Sequence, residues 1–200
     1  MKQMRIEIFS EPELVDHLNT GGDHFSHCIS IRNPDQQMPS IIKTSFKSIL
    51  ELKFYDVETV AQLGPEQKVK RVPEPKDIKG VIEYFHLSND KATGYTIHCW
   101  QGISRSPAIA LGLLYIMTNA EEMAAEILNQ IRPGSRPHQK LVQYFDEELG
   151  SHLSVINAEI HRQSMDSLRR ELQVQDSHLE ELVSAEEGRG LLARAKAIRE

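Results

Sequence analysis

The residues from Tyr95 to Met117 place an apolar strand, a tight loop and an apolar helix in direct succession. The strand is predicted over residues 95–99 and the helix over residues 107–118. The helix has small or apolar side chains on all of its sides, so no face of it can be left in water. It must therefore be covered by other elements. Its covered side chains are Ala108, Ile109, Ala110, Leu111, Leu113 and Leu114.

Strands and helices alternate along the rest of the first 150 residues. Alternating apolar positions predict strands over residues 5–9, 27–31 and 48–54. Ser10 and Glu13 form a capping box, which predicts a short helix after it. A second helix is predicted to start at Pro75, because Ile78 and Phe85 fall at helical spacing. Two more helices follow over residues 120–131 and 138–149. This order predicts an α/β domain, with a central, mostly parallel sheet flanked by helices.

Composition excludes several classes of function. The chain has 200 residues and a formal net charge of −6, with no basic cluster, so nucleic acid is not expected as a partner. No apolar run is long enough for a membrane span and the start does not resemble a signal peptide, so we expect a cytoplasmic protein without membrane contact. The two cysteines, Cys28 and Cys99, are too few for a disulfide framework. His24 and His27 have no second pair of ligands nearby in the sequence, so we expect no metal site.

The composition changes after residue 150, where glycine and proline are absent until Gly188. We therefore predict a domain over residues 1–150 and a C-terminal helical extension over residues 151–200. Two alternatives remain for the extension: a homodimer formed through it, or a helix that packs on its own domain or stays in solvent. The seam that a dimer would use consists of Met165, Leu168, Leu172, Leu179 and Leu182.

The loop after Cys99 has the features of an anion site. A strand that enters a helix through a tight loop points backbone N–H groups at one small volume, which attracts an anion. The same amides favour the thiolate of Cys99, which is the nucleophilic form. Gly102 permits the turn, Arg105 has the planar guanidinium that matches two phosphoryl oxygens, and Ser106 can bond to the sulfur. This set of groups fits a phosphate monoester.

The motif His98-Cys99, five further residues and Arg105-Ser106 resembles the signature of the cysteine-dependent protein tyrosine phosphatases. The small apolar helix that follows, with Arg132-Pro133 and Pro137 later, is similar to the dual-specificity branch of that superfamily. One departure stands at His138, where this branch usually has asparagine. We interpret that difference as affecting a structural turn and not catalysis.

The resemblance implies a phosphocysteine mechanism. Cys99 would attack phosphorus, Ser106 would ease the later departure of the thiolate, and His98 would orient the cysteine and the loop backbone. The alternative for His98 is a fully hydrogen-bonded histidine behind the site, without proton chemistry of its own. No cofactor or metal is implied. The phosphate would be held by Cys99, Arg105 and the backbone of the loop residues Trp100, Gln101, Gly102, Ile103 and Ser104.

The reaction also needs a general acid, which this family supplies from an aspartate in an upstream loop. We predict Asp56, because it follows the strand over residues 48–54 and opens a long loop. The alternatives are Asp77, interpreted as an exposed residue in the first turn of a helix, and Asp90 and Asp35, interpreted as turn or loop residues.

The resemblance implies a phosphorylated protein or a small phosphate ester as the substrate. No tyrosine-lined recognition loop is found, so phosphotyrosine is expected and phosphoserine or phosphothreonine remains open. None of the loop residues 100–104 is basic, which disfavours phosphoinositides. The rival interpretations are a pseudophosphatase that binds phosphorylated partners without turnover, a phosphatase for a non-protein ester, and a sulfur-transfer or arsenate-reducing enzyme.

Overall fold

The computed structural model describes residues 5–88, 92–159 and 162 of the chain. Up to residue 149 they form four strands and six α-helices, together with a short 3-10 helix at Val60–Gln62. In chain order the elements are β1 (Arg5–Ser10), α1 (Glu11–Asn19), β2 (His27–Arg32), α2 (Ser40–Ser45), β3 (Ser48–Lys53), α3 (Pro75–Ser88), β4 (Gly94–Cys99), α4 (Arg105–Thr118), α5 (Glu121–Ile131) and α6 (Gln139–Leu149).

The four strands form one sheet in the order β1-β4-β2-β3, and every pairing is parallel. The predicted α/β class with a parallel central sheet is therefore confirmed. Because the strands are parallel, their carboxyl ends meet at one edge of the sheet. In the register, Ser10 lies beside Cys99, and Arg32 lies beside Lys53. The residues that follow each strand are thus brought close together.

Helices α1 and α2 pack against each other next to the sheet. Helix α1 begins with the predicted capping box, in which the Ser10 hydroxyl accepts the Glu13 N–H and the Glu13 carboxylate accepts the Ser10 N–H at 2.7 Å. The apolar residues of both helices share a core with β2. Its buried members are Leu14, Leu18, Cys28, Met38, Ile42 and Phe46.

Helix α4 is the buried helix that the sequence requires. It contacts α3, α5 and α6 as well as β1 and β4, and all of its residues from Arg105 to Leu114 are buried. Gly112 lies where α4 meets α6, and a Cβ at this position would overlap the Phe145 ring, which is itself fully buried. The absence of a side chain at Gly112 therefore sets how closely the two helices approach.

Two features differ from the sequence-based expectations. Helix α2 was not predicted, because it is only six residues long and Pro39 at its start makes no side-chain capping bond. Asp77 was expected to be exposed, but it is buried. Its carboxylate pairs with Arg71 at 2.6 Å and accepts the Glu74 N–H at 2.8 Å, so it closes the start of α3.

The chain continues beyond α6 into helical residues 153–159. The Asp146 carboxylate on α6 accepts the backbone N–H groups of Leu153, at 2.7 Å, and Ser154, at 3.0 Å. The predicted dimer seam from Met165 to Leu182 lies outside the described residues, and the division into residues 1–150 and 151–200 stays a prediction. Among the described helices, none has the length and apolarity that crossing a bilayer requires.

His98 is fully buried in β4, in the middle of the sheet. Burial lowers the pKa of its imidazole from 6.5 to about 3, and the nearby charges of Arg32 and Arg105 act in the same direction. The ring is therefore neutral in the folded protein at any pH near neutrality. In the unfolded chain the same ring binds a proton below its ordinary pKa of 6.5.

Replacing Gly112 with alanine is expected to lower the free energy of unfolding by about 1–3 kcal/mol, because the added methyl group has no room beside Phe145. Gly80→Ala in α3 is the matched control, since a Cβ there would meet nothing within 4 Å. That control should gain about 0.4–1 kcal/mol by restricting the unfolded chain. Urea unfolding of both variants tests the pair, and equal effects would contradict this account of α4 and α6.

His98 should make folding less favourable as the pH falls from about 6.5 towards 3, because only the unfolded state then takes up the proton. Its contribution to the slope of stability against pH is at most about 1.4 kcal/mol per unit. Urea unfolding at several pH values, with the wild type and His98→Gln, isolates this term. The variant should show the shallower slope; two parallel curves would show that His98 is not the proton-linked group.

Candidate active site

Cys99 ends β4 and lies at the start of the loop that leads into α4. Its sulfur is buried and accepts two hydrogen bonds, from the Gly102 N–H at 3.3 Å and from the Ser106 hydroxyl at 3.2 Å. Both donors lower the energy of a negative charge on sulfur. The predicted contact between Ser106 and the cysteine is therefore present in the structure.

Gly102 turns the loop with a φ of 69°, in the left-handed region that favours glycine. A Cβ at this position would come within 2.7 Å of the Ser10 nitrogen and 2.8 Å of the Phe9 carbonyl carbon. Backbone atoms of β1 cannot yield as a flexible side chain could. Both the conformation and the close packing against β1 thus require glycine here.

The carbonyl oxygens of the loop are bonded to groups outside it. The Gly102 oxygen accepts the Arg132 Nε–H at 3.1 Å, and the Trp100 oxygen accepts the Glu11 N–H at 3.2 Å. The backbone N–H groups of Arg136 and His138 donate to Ile103, at 2.7 Å, and to Ser104, at 3.1 Å. With these carbonyls bonded outside the loop, its N–H groups are free to turn towards Cys99, as the Gly102 N–H does. Backbone N–H groups that converge in this way can bind an anion.

Arg132 is held in turn by Glu13, whose carboxylate it contacts with Nη1 at 3.3 Å and with Nη2 at 2.9 Å. Glu13 is also the acidic member of the α1 capping box. One carboxylate therefore ties the start of α1 to the residue that supports the loop. The sequence indicated each of these residues for a separate reason, but nothing in their spacing showed that they meet.

Arg105 is buried at the start of α4, and its Nη1 is fixed by two acceptors. These are the Asn33 side-chain oxygen at 2.9 Å and the Phe54 backbone oxygen at 2.8 Å. Asn33 was not among the residues predicted for the site. Its position directly after β2 was the available signal, because the residues after parallel strands gather at the same edge.

Asp56 lies beside the loop, where its two carboxylate oxygens meet different partners. Oδ1 accepts the Ser104 hydroxyl at 2.7 Å, and Oδ2 is 3.6 Å from the Arg105 Nε. The side chain is 33% exposed, so it can reach a bound molecule from the solvent side. Of the other aspartates considered, Asp77 serves the start of α3, Asp35 lies in the turn after β2, and Asp90 falls outside the described residues.

The structure places the backbone of His138 at the turn before α6, as expected, and it also places the side chain beside Asp56. The ring is buried, and its Nε2 is 3.8 Å from Asp56 Oδ1. Burial lowers the pKa of the imidazole, and the positive charge of Arg105 acts in the same direction. The carboxylates of Asp56 and Glu58 and the backbone of Val57 act in the opposite direction but do not reverse the shift. The sequence missed this contact because it joins two segments more than eighty residues apart.

The remaining predicted residues divide into rim and interior. Trp100 and Ile103 are 49% and 42% exposed, so they form an apolar rim, and Gln101 is also exposed. His98 lies beneath the loop, but within the described ranges neither of its ring nitrogens makes a hydrogen bond of standard geometry. Its predicted orienting contact is therefore not seen.

Cys28 is far less suited to nucleophilic chemistry than Cys99. It is fully buried in β2, and burial strongly raises the pKa of its thiol. Both cysteines are free thiols. Among the described residues, no three His, Cys, Asp or Glu side chains are grouped as a metal ion would need.

Together these groups form a small loop with a buried thiol, and the side chains of Arg105 and Asp56 lie beside it. Such a set can attack an electrophilic phosphorus or sulfur centre, hold its oxygens and exchange a proton with a leaving group.

The fold of this chain is similar to that of several solved structures. DUSP15 superimposes with a TM-score of 0.50, over 81% of this chain and 94% of its own, with 20% identical residues. Human DUSP28 gives a TM-score of 0.50 over 72% of this chain and 93% of its own, with 14% identity. Neither a protein-family model nor a curated protein sequence matches the chain. The chain therefore has the fold of the dual-specificity branch of the cysteine-dependent protein tyrosine phosphatases.

Proposed function

We propose that this protein is a phosphatase that hydrolyses phosphate monoesters, chiefly protein phosphotyrosine, through a phosphocysteine intermediate on Cys99. The observation that carries the proposal is the loop itself. The buried Cys99 sulfur accepts hydrogen bonds from the Gly102 N–H and the Ser106 hydroxyl, and Asp56 and Arg105 lie 3.6 Å apart beside the loop. This is the set of groups that phosphoryl transfer to a thiolate requires.

In the first step the Cys99 sulfur attacks phosphorus and an S–P bond forms. The bond between phosphorus and the ester oxygen breaks, and Asp56 transfers its proton to the departing oxygen. Arg105 stabilises the charge that develops on the equatorial phosphoryl oxygens. Its Nη1 is already anchored by Asn33 and Phe54, so the guanidinium needs little reorganisation to act.

In the second step a water molecule attacks phosphorus and gives a proton to Asp56, now a carboxylate. The S–P bond breaks, inorganic phosphate leaves and the thiolate returns. The Ser106 hydroxyl, 3.2 Å from the sulfur, stabilises the thiolate as it departs. The proton and the thiolate are both restored, so the cycle closes without a cofactor.

The rim of the site supports an aromatic ester as the preferred substrate. Trp100 and Ile103 expose apolar surface on the loop, where the ring of a phosphotyrosine could pack. Residues 100–104 include no basic side chain that would bind a second phosphate group. The position of Asp56 next to the loop supports turnover over mere binding of phosphorylated partners.

The nucleophile and the arginine are tested with the purified full chain, on p-nitrophenyl phosphate and on phosphotyrosine and phosphoserine peptides. Cys99→Ser should abolish hydrolysis, and Arg105→Lys should lower kcat/KM by about 10²–10³-fold because a lysine cannot make the two-pronged contact. The wild type should form a vanadate-sensitive phosphoenzyme whose mass exceeds the apoprotein by one phosphoryl group.

Cys28→Ala is the matched control, since it removes the other thiol from the core and should leave kcat/KM unchanged. An inert wild type, or a Cys99→Ser variant that still turns over, would refute the phosphocysteine mechanism. A wild type that prefers non-protein esters to both peptides would retain the chemistry but exclude phosphotyrosine as the substrate class.

The general acid is tested by varying the leaving group. Asp56→Asn should lower kcat about 10²-fold for phenyl phosphate, whose leaving group needs a proton. For a phosphate ester of an acidic, fluorinated coumarin the loss should be only a few-fold, because that leaving group departs as the anion. Equal losses on the two esters would show that Asp56 does not protonate the leaving oxygen.

A further inference from the structure

The carboxyl group of Asp56 is approached from three sides. Ser104 donates to Oδ1 at 2.7 Å, Arg105 Nε lies 3.6 Å from Oδ2, and His138 Nε2 lies 3.8 Å from Oδ1. Ser104 and Arg105 belong to the loop that binds the anion. His138 comes from the segment after α5, so its ring approaches Asp56 from a different part of the domain.

We propose that His138 is a positioning residue that holds the Asp56 carboxyl group over the loop for proton transfer to the leaving group. This inference rests on the proposed function, because it assigns to Asp56 the role of general acid. It adds a residue that lies outside the motif from His98 to Ser106.

The backbone of His138 is already occupied in a way that fixes where its side chain starts. Its N–H donates to the Ser104 carbonyl at 3.1 Å, and it stands at the start of α6 without making a side-chain capping bond. The ring is therefore not needed to begin the helix. It extends instead from the support of the loop towards Asp56.

The ring is buried without a full set of partners. Among the described residues neither ring nitrogen makes a hydrogen bond of standard geometry, although the backbone of Val57 is near enough to influence its pKa. A buried polar group without a partner costs about 1–3 kcal/mol. A closer approach to Asp56 would remove that cost, and hydrogen bonds between catalytic groups are often long until the substrate is bound.

The charge state of the ring suits this role. Asp56 must hold a proton to act as an acid, and Arg105 already places one positive charge beside it. Burial lowers the pKa of His138 by more than the carboxylates of Asp56 and Glu58 raise it, so the ring is neutral at neutral pH. A neutral imidazole can orient the carboxyl group by a hydrogen bond without adding a second positive charge that would favour the ionised form.

The length of the side chain also distinguishes histidine from the asparagine that is usual at this position in the dual-specificity branch. Nε2 of histidine lies one bond further from Cβ than the amide nitrogen of asparagine. Glutamine has its amide nitrogen at the same number of bonds as Nε2. A glutamine at this position should therefore replace the contact better than an alanine does.

A double-mutant cycle tests the proposal in the full chain. His138→Ala should lower kcat on phenyl phosphate by about 5–30-fold, with KM unchanged, and should alter kcat on the acidic coumarin ester by less than about twofold. In the Asp56→Asn background the same change should have no further effect, because the residue acts only through Asp56. His138→Gln should recover part of the lost kcat.

Equal losses on both esters, or a further loss in the Asp56→Asn background, would overturn the proposal and show that His138 merely supports the loop. Gln139→Ala, at the next position in the chain, controls for disturbance of the α6 start and should leave the ratio of the two rates unchanged.

A second measurement does not depend on turnover. NMR titration of the His138 ring in the wild type and in Asp56→Asn should show a lower pKa for this imidazole in the variant, because the carboxylate that favours its protonated form is gone. The ring signals of His86, in α3, serve as the internal reference. An unchanged His138 titration would refute the contact, whereas an inert wild type with the expected titration would refute only the proposed function.

Discussion

The hydrogen bonds that hold the loop carbonyls outward are the constraint on which the rest of the site depends. Peptide groups cannot point both ends inward, so amides face the centre of the loop only if its oxygens have partners elsewhere. Arg132, Arg136 and His138 supply those partners to the oxygens of residues 102–104. Without these hydrogen bonds the loop would keep its sequence, but its amides would no longer be directed towards the same point.

The parallel sheet determines which side chains meet at that centre. Cys99 ends β4, Asn33 follows β2 and Asp56 follows β3, so all three lie at the same edge. The capping residues of α1 follow β1 and reach the loop through the contact between Glu13 and Arg132. Each strand end thus contributes one group, and no long-range movement of the chain is needed to assemble them.

Charge around the loop is divided between arginines that stay positive and histidines that burial keeps neutral. Arg105 is held by Asn33 and Phe54, and Arg32 is buried in an ion pair with Glu11. Burial lowers the pKa values of His98 and His138, so neither adds a positive charge at neutral pH.

Much of the fold could be predicted from the sequence because its signals are local. The capping box of Ser10 and Glu13 acts within one turn of helix, and the apolar residues of α4 by themselves predict its burial. The predicted strand ends lie within one or two residues of the observed ones. Helix α2 could not be predicted, because six residues without a capping side chain carry too little periodic signal.

The sequence by itself determined the loop chemistry, because Cys99, Gly102, Arg105 and Ser106 are contiguous and only a strand, a turn and a helix are needed to bring them together. Only the tertiary structure decided the partners of that loop. Asn33, Arg132 and His138 are separated from it by up to 72 residues, and their contacts depend on which strand ends are neighbours and on how α5 and α6 return to the sheet. Strand order and helix packing create these contacts, so they cannot be read from the spacing of the residues along the chain.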